Sequence, residues 1–234
     1  MEKNRTKSAF IVIDMENGFI ESDSPHCIKN AAATVPALSK AISAARTFGI
    51  PIFFVKRIYR ENGSDVEMTR YQSWKAGGKA MSPSSVGKIS AEAPEGLKPL
   101  PGDYSIVKPR WSAFFHTELD LILRRLGVRT VILTGTTTPN CVRTTAYDAN
   151  SLEYNVVILE DCCSSQTEEI QRVNIEDMRR MGAVILNSHE FISDYNACPT
   201  VDLIEKIRED IYVCETAPEP FKGEQGQSYW VDKW

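Results

Sequence analysis

"ILTGTTTPNCVRTTAYDANSL", residues 132–152, runs from a short apolar stretch through glycine, threonines and a proline into a segment with helical spacing. Val142, Thr145, Ala146, Ala149 and Leu152 fall on one helical stripe, and the strand signal ahead of them, "TVILT" (130–134), is apolar enough to be covered on both faces. A buried strand that turns directly into a helix is half of a parallel crossover unit. The reading places Cys141 where that helix starts, just beyond the strand's carboxyl end. The stretch therefore poses a chemical question together with a topological one.

Working outward, five more runs have the same character: "AFIVI" (9–13), "PIFFV" (51–55), "YSIV" (104–107), "NVVIL" (155–159) and "AVILN" (183–187). Helical patterns lie between most of them. Residues 34–48 put Val35, Leu38, Ala41, Ile42, Ala45 and Phe48 on one stripe, and residues 117–126 do so with Leu119, Ile122, Leu123 and Leu126. Gly49 and Gly127 follow as helix stops. Strand and helix in alternation predict an α/β, three-layer fold, with a six-stranded, mainly parallel, Rossmann-like sheet between helices.

Residues 58–102 break this rhythm. They are polar, carry Gly77, Gly78, Pro83, Pro94 and Pro99, and read as an insertion that either decorates the surface or covers a site. Residues 1–198 are expected to form the domain. Residues 199–234 are expected to add one amphipathic helix (Val201, Ile204, Ile207, Ile211) and a tail whose Tyr229, Trp230 and Trp234 pack either on a neighbouring subunit or on their own domain.

With 234 residues, 42% hydrophobic and 25% charged, the composition is that of a globular protein. A net charge of -4 gives no electrostatic reason to expect nucleic acid or an anionic membrane as partner. No run approaches the roughly 18 apolar residues of a membrane span, and the N-terminal apolar run is interrupted by Asp14 and Glu16, unlike a secretory signal. A cytoplasmic protein acting on a small molecule is the expectation. The six cysteines form no CxxC pair, so most should be reduced, buried small hydrophobes.

Ligands of an open parallel sheet bind beyond the carboxyl ends of its strands. Asp14 follows the first strand, Lys108 the third and Cys141 the fourth, so all three share one edge. A thiol of ordinary pKa about 8.5 becomes a nucleophile when a base, a cation or a helix N-terminus assists its ionisation. Here Asp14 is the candidate base, Lys108 the candidate cation, and the helix after Cys141 supplies its dipole. Backbone NH groups of the "TTTPN" loop are candidates for holding an oxyanion.

Three ordered motifs, "VIDMENGF", "VKPRWSAFFHTELDLILRRLGV" and "TGTTTPNCVRTTAYDA", make residues 8–192 resemble the isochorismatase-like cysteine hydrolases. This family includes nicotinamidases, N-carbamoylsarcosine amidase, biuret hydrolase and ureidoacrylate amidohydrolase. The resemblance implies a triad of Asp14, Lys108 and Cys141, and a cis peptide bond at Thr136–Thr137 that turns the Thr137 NH toward the same oxyanion as the Cys141 NH. It also implies hydrolysis of an amide-type bond through a thioester, no cofactor, and a homo-oligomer, dimer or tetramer. Nicotinamidases of this family carry a metal site built on an Asp-x-His element. The corresponding region after "PIFFV" has no histidine, and His26, His116 and His189 are far apart in sequence, so no metal is expected. Many relatives have Gln where this chain has Glu16, which either tunes the site's charge or points to solvent, the latter being the default.

Phe19, Trp111 and Phe115 are candidate pocket walls, and Arg57, Arg110 and Arg143 candidate partners for a substrate carboxylate, each with core packing or surface pairing as the plainer alternative. His116 is expected to be structural. The sequence thus points to a cysteine hydrolase of linear carbon–nitrogen bonds in amide, carbamoyl or ureido compounds. A nicotinamidase-type deamidase, or a non-catalytic thiol redox or interaction protein on the same scaffold, are its rivals.

Overall fold

The computed structural model describes residues 7–193, and the anticipated C-terminal helix and tail lie outside the described residues. All six expected strands form: β1 (Lys7–Ile13), β2 (Ile52–Lys56), β3 (Tyr104–Val107), β4 (Val128–Thr136), β5 (Asn155–Ser164) and β6 (Val184–Leu186). They make one sheet in the order β3-β2-β1-β4-β5-β6, with every pairing parallel. Chain order reverses between β1 and β4, which makes that crevice the place where an open α/β sheet presents a site.

Seven helices connect and flank these strands among the described residues: α1 (Asn17–Ile20), α2 (Ala31–Thr47), α3 (Tyr71–Ala76), α4 (Leu119–Leu126), α5 (Arg143–Ser151), α6 (Glu168–Arg180) and α7 (Ser188–Ser193). Side chains alternate across the sheet into two cores. Ile11, Phe53, Leu133 and Ile158 point to one face with Leu123 of α4, Ala146 of α5 and Met178 of α6. Phe10, Phe54, Ile132 and Val157 point to the other with Leu38 and Ile42 of α2 and Phe191 of α7. Double-sided burial explains why the strands read as continuous apolar runs. At the end of α4, Gly127 adopts φ +71° as a left-handed C-cap, its NH bonding to the carbonyls of Leu123 and Arg124.

The inserted segment 58–102 is not featureless. Tyr59, Val66, Trp74, Ala80 and Met81 bury one another in a third small cluster, against which Phe19 packs, and the Trp74 indole donates to the Ala80 carbonyl at 2.8 Å. Tyr59, Val66, Trp74 and Met81 of this cluster line a cavity shared with Cys141, so the segment covers part of that cavity. Cys162 and Cys163 are buried in the two main cores, as expected of apolar thiols. Among the described residues no helix is long and apolar enough to cross a membrane.

Candidate active site

Asp14 leaves β1 with a left-handed backbone (φ 50°), a conformation that Asp tolerates better than most residues. Its NH stays tied to the sheet through the Val55 carbonyl at 2.9 Å. Lys108 leaves β3 with its NH on the Lys56 carbonyl, also at 2.9 Å. Both side chains are buried: Lys108 Nζ lies 2.7 Å from Asp14 Oδ2, 3.1 Å from the Arg110 carbonyl and 3.6 Å from Cys141 Sγ. One ammonium thus touches the carboxylate and the sulfur together.

Between β4 and α5 the chain makes a cis peptide bond at Thr136–Thr137, then a π-helical turn over Thr138–Val142. Val142 NH reaches back to the Thr137 carbonyl at 3.2 Å. Cys141 therefore lies in this turn, two residues ahead of α5, and not at the first residue of the α-helix as the sequence suggested. Thr145 fixes the turn from the helix side, its hydroxyl donating to the Cys141 carbonyl at 2.6 Å and accepting from the Ala113 NH at 2.9 Å.

The electrostatics differ from the expectation of a ready thiolate. Burial, followed by the charge of Asp14, pushes the Cys141 thiol up to about 11, against the opposing pull of Lys108 and Arg57. This shift favours the thiol over the thiolate at Cys141. Glu16 is a correction as well: it does not point to solvent but is buried, with Oε1 accepting from the Arg57 NH at 2.7 Å and Oε2 without a partner. Burial, then the charge of Asp14, holds its carboxyl well above the ordinary carboxylate range, which favours the neutral acid. A neutral Glu16 adds no second negative charge beside the Lys108–Asp14 pair.

A cavity of about 360 Å³ opens onto Cys141. Phe19, Arg57 and Trp111 line it, as does Thr137. The Arg57 guanidinium is already engaged: Nη1 donates to Glu67 Oε1 at 2.8 Å and to the Pro109 carbonyl at 3.1 Å. Phe115 and Arg143 do not line the cavity. Phe115 lies half-exposed with its ring edge against exposed His116. Arg143 turns outward to pair with Asp177 at 2.8 Å, over the ring of Tyr147. Two residues along a helix point to nearly opposite sides, which carries Arg143 away from the pocket that Cys141 faces. Arg110 donates to the Asp65 carbonyl at 2.8 Å and braces the cover instead of the cavity. The sequence reading missed Tyr59, Arg70 and Trp74 of the cover, and His26, all of which line the cavity; only the aromatic content of the insertion could have signalled them. Among the described residues, no three His, Cys, Asp or Glu side chains gather in a way that could hold a metal ion.

Fold and site together define a Rossmann-like α/β protein with a buried Asp–Lys–Cys cluster at the switch point of its sheet. The Isochorismatase domain model matches residues 8–190, and the chain belongs to that family. It is 36% identical to a protein of Arabidopsis thaliana named "probable inactive nicotinamidase", over 82% of this chain and 97% of that one. It is 35% identical to the ureidoacrylate amidohydrolase RutB of Variovorax paradoxus, over 66% and 67% of the two chains. Among solved structures, an isochorismatase family protein of Desulfovibrio vulgaris superposes with a TM-score of 0.76 at 38% identity, covering 80% of this chain and 96% of that one. The N-carbamoylsarcosine amidase of Thermoplasma acidophilum gives 0.64 at 30%, over 78% and 96%.

Proposed function

We propose that the protein is a cysteine hydrolase that cleaves a linear carbon–nitrogen bond in a small amide, carbamoyl or ureido compound. The observation that carries this reading is the buried contact of Lys108 Nζ with both Asp14 Oδ2 and Cys141 Sγ, where Cys141 also lines the cavity. Amidohydrolases among its relatives support the bond type.

In this scheme Asp14 takes the proton of the Cys141 thiol as sulfur bonds to the substrate carbonyl carbon, so no free thiolate need accumulate in a site where its pKa is about 11. The carbonyl electron pair moves onto oxygen, where the backbone NH groups of Thr137 and Cys141 receive the charge. Collapse of this adduct expels ammonia or an amine, which takes the proton back from Asp14, and leaves a thioester. A water molecule then gives its proton to Asp14 and attacks the thioester carbon. Cleavage of the carbon–sulfur bond restores the thiol and frees the acid. Lys108 offsets charge on Asp14 and on sulfur and keeps the two in register. The catalytic form is taken to act on small molecules in the cytoplasm, without nucleic acid or membrane, as a homo-oligomer.

The reading is tested by ammonia release from a panel of amides, N-carbamoyl amino acids, ureidoacrylate, biuret and nicotinamide. Cys141→Ala is expected to abolish turnover with the fold intact, and Asp14→Asn to lower kcat by at least about 100-fold. Turnover that survives in Cys141→Ala sinks the mechanism.

A further inference from the structure

The walls of the cavity carry an unbalanced charge. Behind Cys141, outside the lining, Asp14 and Lys108 pair with one another. In the side of the cavity, Arg57 is balanced by Glu67 at 2.8 Å. Burial opposes the Glu67 charge, but the charge and hydrogen bonds supplied by Arg57 and Tyr59 outweigh it, so Glu67 stays ionised. The Tyr59 phenol donates to Glu67 Oε2 at 2.9 Å, completing that pairing. His26 is held toward its neutral form by burial and then by the charge of Arg70. Among the described residues, no acidic side chain lines the cavity.

Arg70 has no counterpart. It sits in the cover just ahead of α3, lines the same cavity as Cys141, and its guanidinium forms no ion pair with any carboxylate among the described residues. Its backbone alone is engaged, the NH donating to the Glu67 carbonyl and the carbonyl accepting from the Trp74 NH and the Ser73 hydroxyl. Asn140, next to the nucleophile, also lines the cavity and takes no side-chain hydrogen bond among the described residues. Arg70 is exposed, and a planar fork of donors left open in the cavity that Cys141 also lines is suited to a carboxylate.

We infer that Arg70 is the specificity-determining residue for a substrate carboxylate, so that the compounds cleaved are ureido or carbamoyl acids and not neutral amides. The substrate class rests on the hydrolase reading above. The placement of Arg70 does not. The three arginines that the sequence singled out are replaced in this role by one that the cover supplies: Arg143 and Arg110 face elsewhere, and Arg57 has its charge balanced.

Two readouts keep the inference and the hydrolase reading apart. The first is alkylation of Cys141 by iodoacetate and by iodoacetamide, an anionic and a neutral reagent of similar size, followed by peptide mass spectrometry so that Cys27 is scored separately. In Arg70→Gln the iodoacetate-to-iodoacetamide rate ratio at Cys141 is expected to fall about tenfold, with Arg70→Lys in between. The second is ammonia release from N-carbamoylglycine and its neutral isostere N-isobutylurea. Arg70→Gln is expected to lower kcat/KM on the acid by about 10- to 100-fold, mostly through KM, and to change that on the urea by less than about threefold. An unchanged alkylation ratio, or equal losses on acid and urea, overturns the role of Arg70. Release of ammonia from no panel compound while Cys141 still alkylates refutes the hydrolase reading, and the alkylation ratio still decides Arg70.

Discussion

Gly135 joins the two strands that lead to Asp14 and Cys141, and replacing it by alanine tests whether their close approach builds the site. Gly135 pairs in register with Ile13 of β1, one residue before Asp14, and stands two residues before Thr137 and six before Cys141. Its φ is +109°, and a Cβ there would lie 2.0 Å from the Ile13 carbonyl oxygen and 2.7 Å from its nitrogen. Both obstacles are backbone, so no side chain can swing aside. The strands would have to part by roughly 1 Å, and a shift of that size at reacting groups costs on the order of 100-fold in rate. The backbone conformation adds about 1–3 kcal/mol of strain and the disturbed ladder about 1 kcal/mol more. Gly135→Ala should therefore lose about 2–4 kcal/mol in urea unfolding, and about 100-fold in kcat/KM under conditions where it remains folded. Gly127→Ala is the control: its φ is also positive, but its Cβ would meet only the end of the Lys7 side chain at 3.7 Å. It should cost about 1 kcal/mol and leave kcat/KM unchanged. A Gly135→Ala protein with the wild-type urea midpoint and activity would refute the claim that this contact positions Asp14 against Cys141.

Glu16→Gln removes a carboxyl that the folded state holds protonated and the unfolded chain releases above about pH 4.5, so wild-type stability should fall relative to the variant as pH rises from there to 7 and match it near pH 4. A Tm difference that does not change with pH would remove the buried neutral acid from the account. Because the Cys141 thiol is pushed up to about 11, its alkylation by iodoacetamide should quicken about tenfold per pH unit from about pH 6 to 9; a plateau below about pH 8 would reveal a preformed thiolate instead.

The parts of this molecule that could be read from the chain are those in which one local rule suffices. Strands covered on both faces must be apolar throughout, and Ile11, Phe53 and Leu133 show that pattern without any knowledge of their partners. Asp14, Lys108 and Cys141 stood out because each is reactive and follows a strand end, and parallel pairing brings strand ends together. The orientation of Arg143 was also legible, since a residue two positions after Cys141 on a helical turn faces away from it. Weighing that spacing would have excluded it as a pocket residue. What could not be read depends on pairings far apart in sequence. Glu16 reads as exposed because buried acids are rare without partners, and its partner is the backbone NH of Arg57, 41 residues away. The insertion reads only as a polar segment that either decorates the surface or covers a site, because its five core residues are spread over Tyr59 to Met81 with charged residues between them. No helical or strand period links them, yet their packing delivers Arg70 and Trp74 to the cavity. The buried cluster of Asp14, Lys108 and Cys141 is thus fixed by the sheet, whereas one wall of the cavity is fixed by a segment whose order comes from irregular contacts. A substitution in that cover can redirect substrate preference while the buried contacts of Asp14, Lys108 and Cys141 stay as they are.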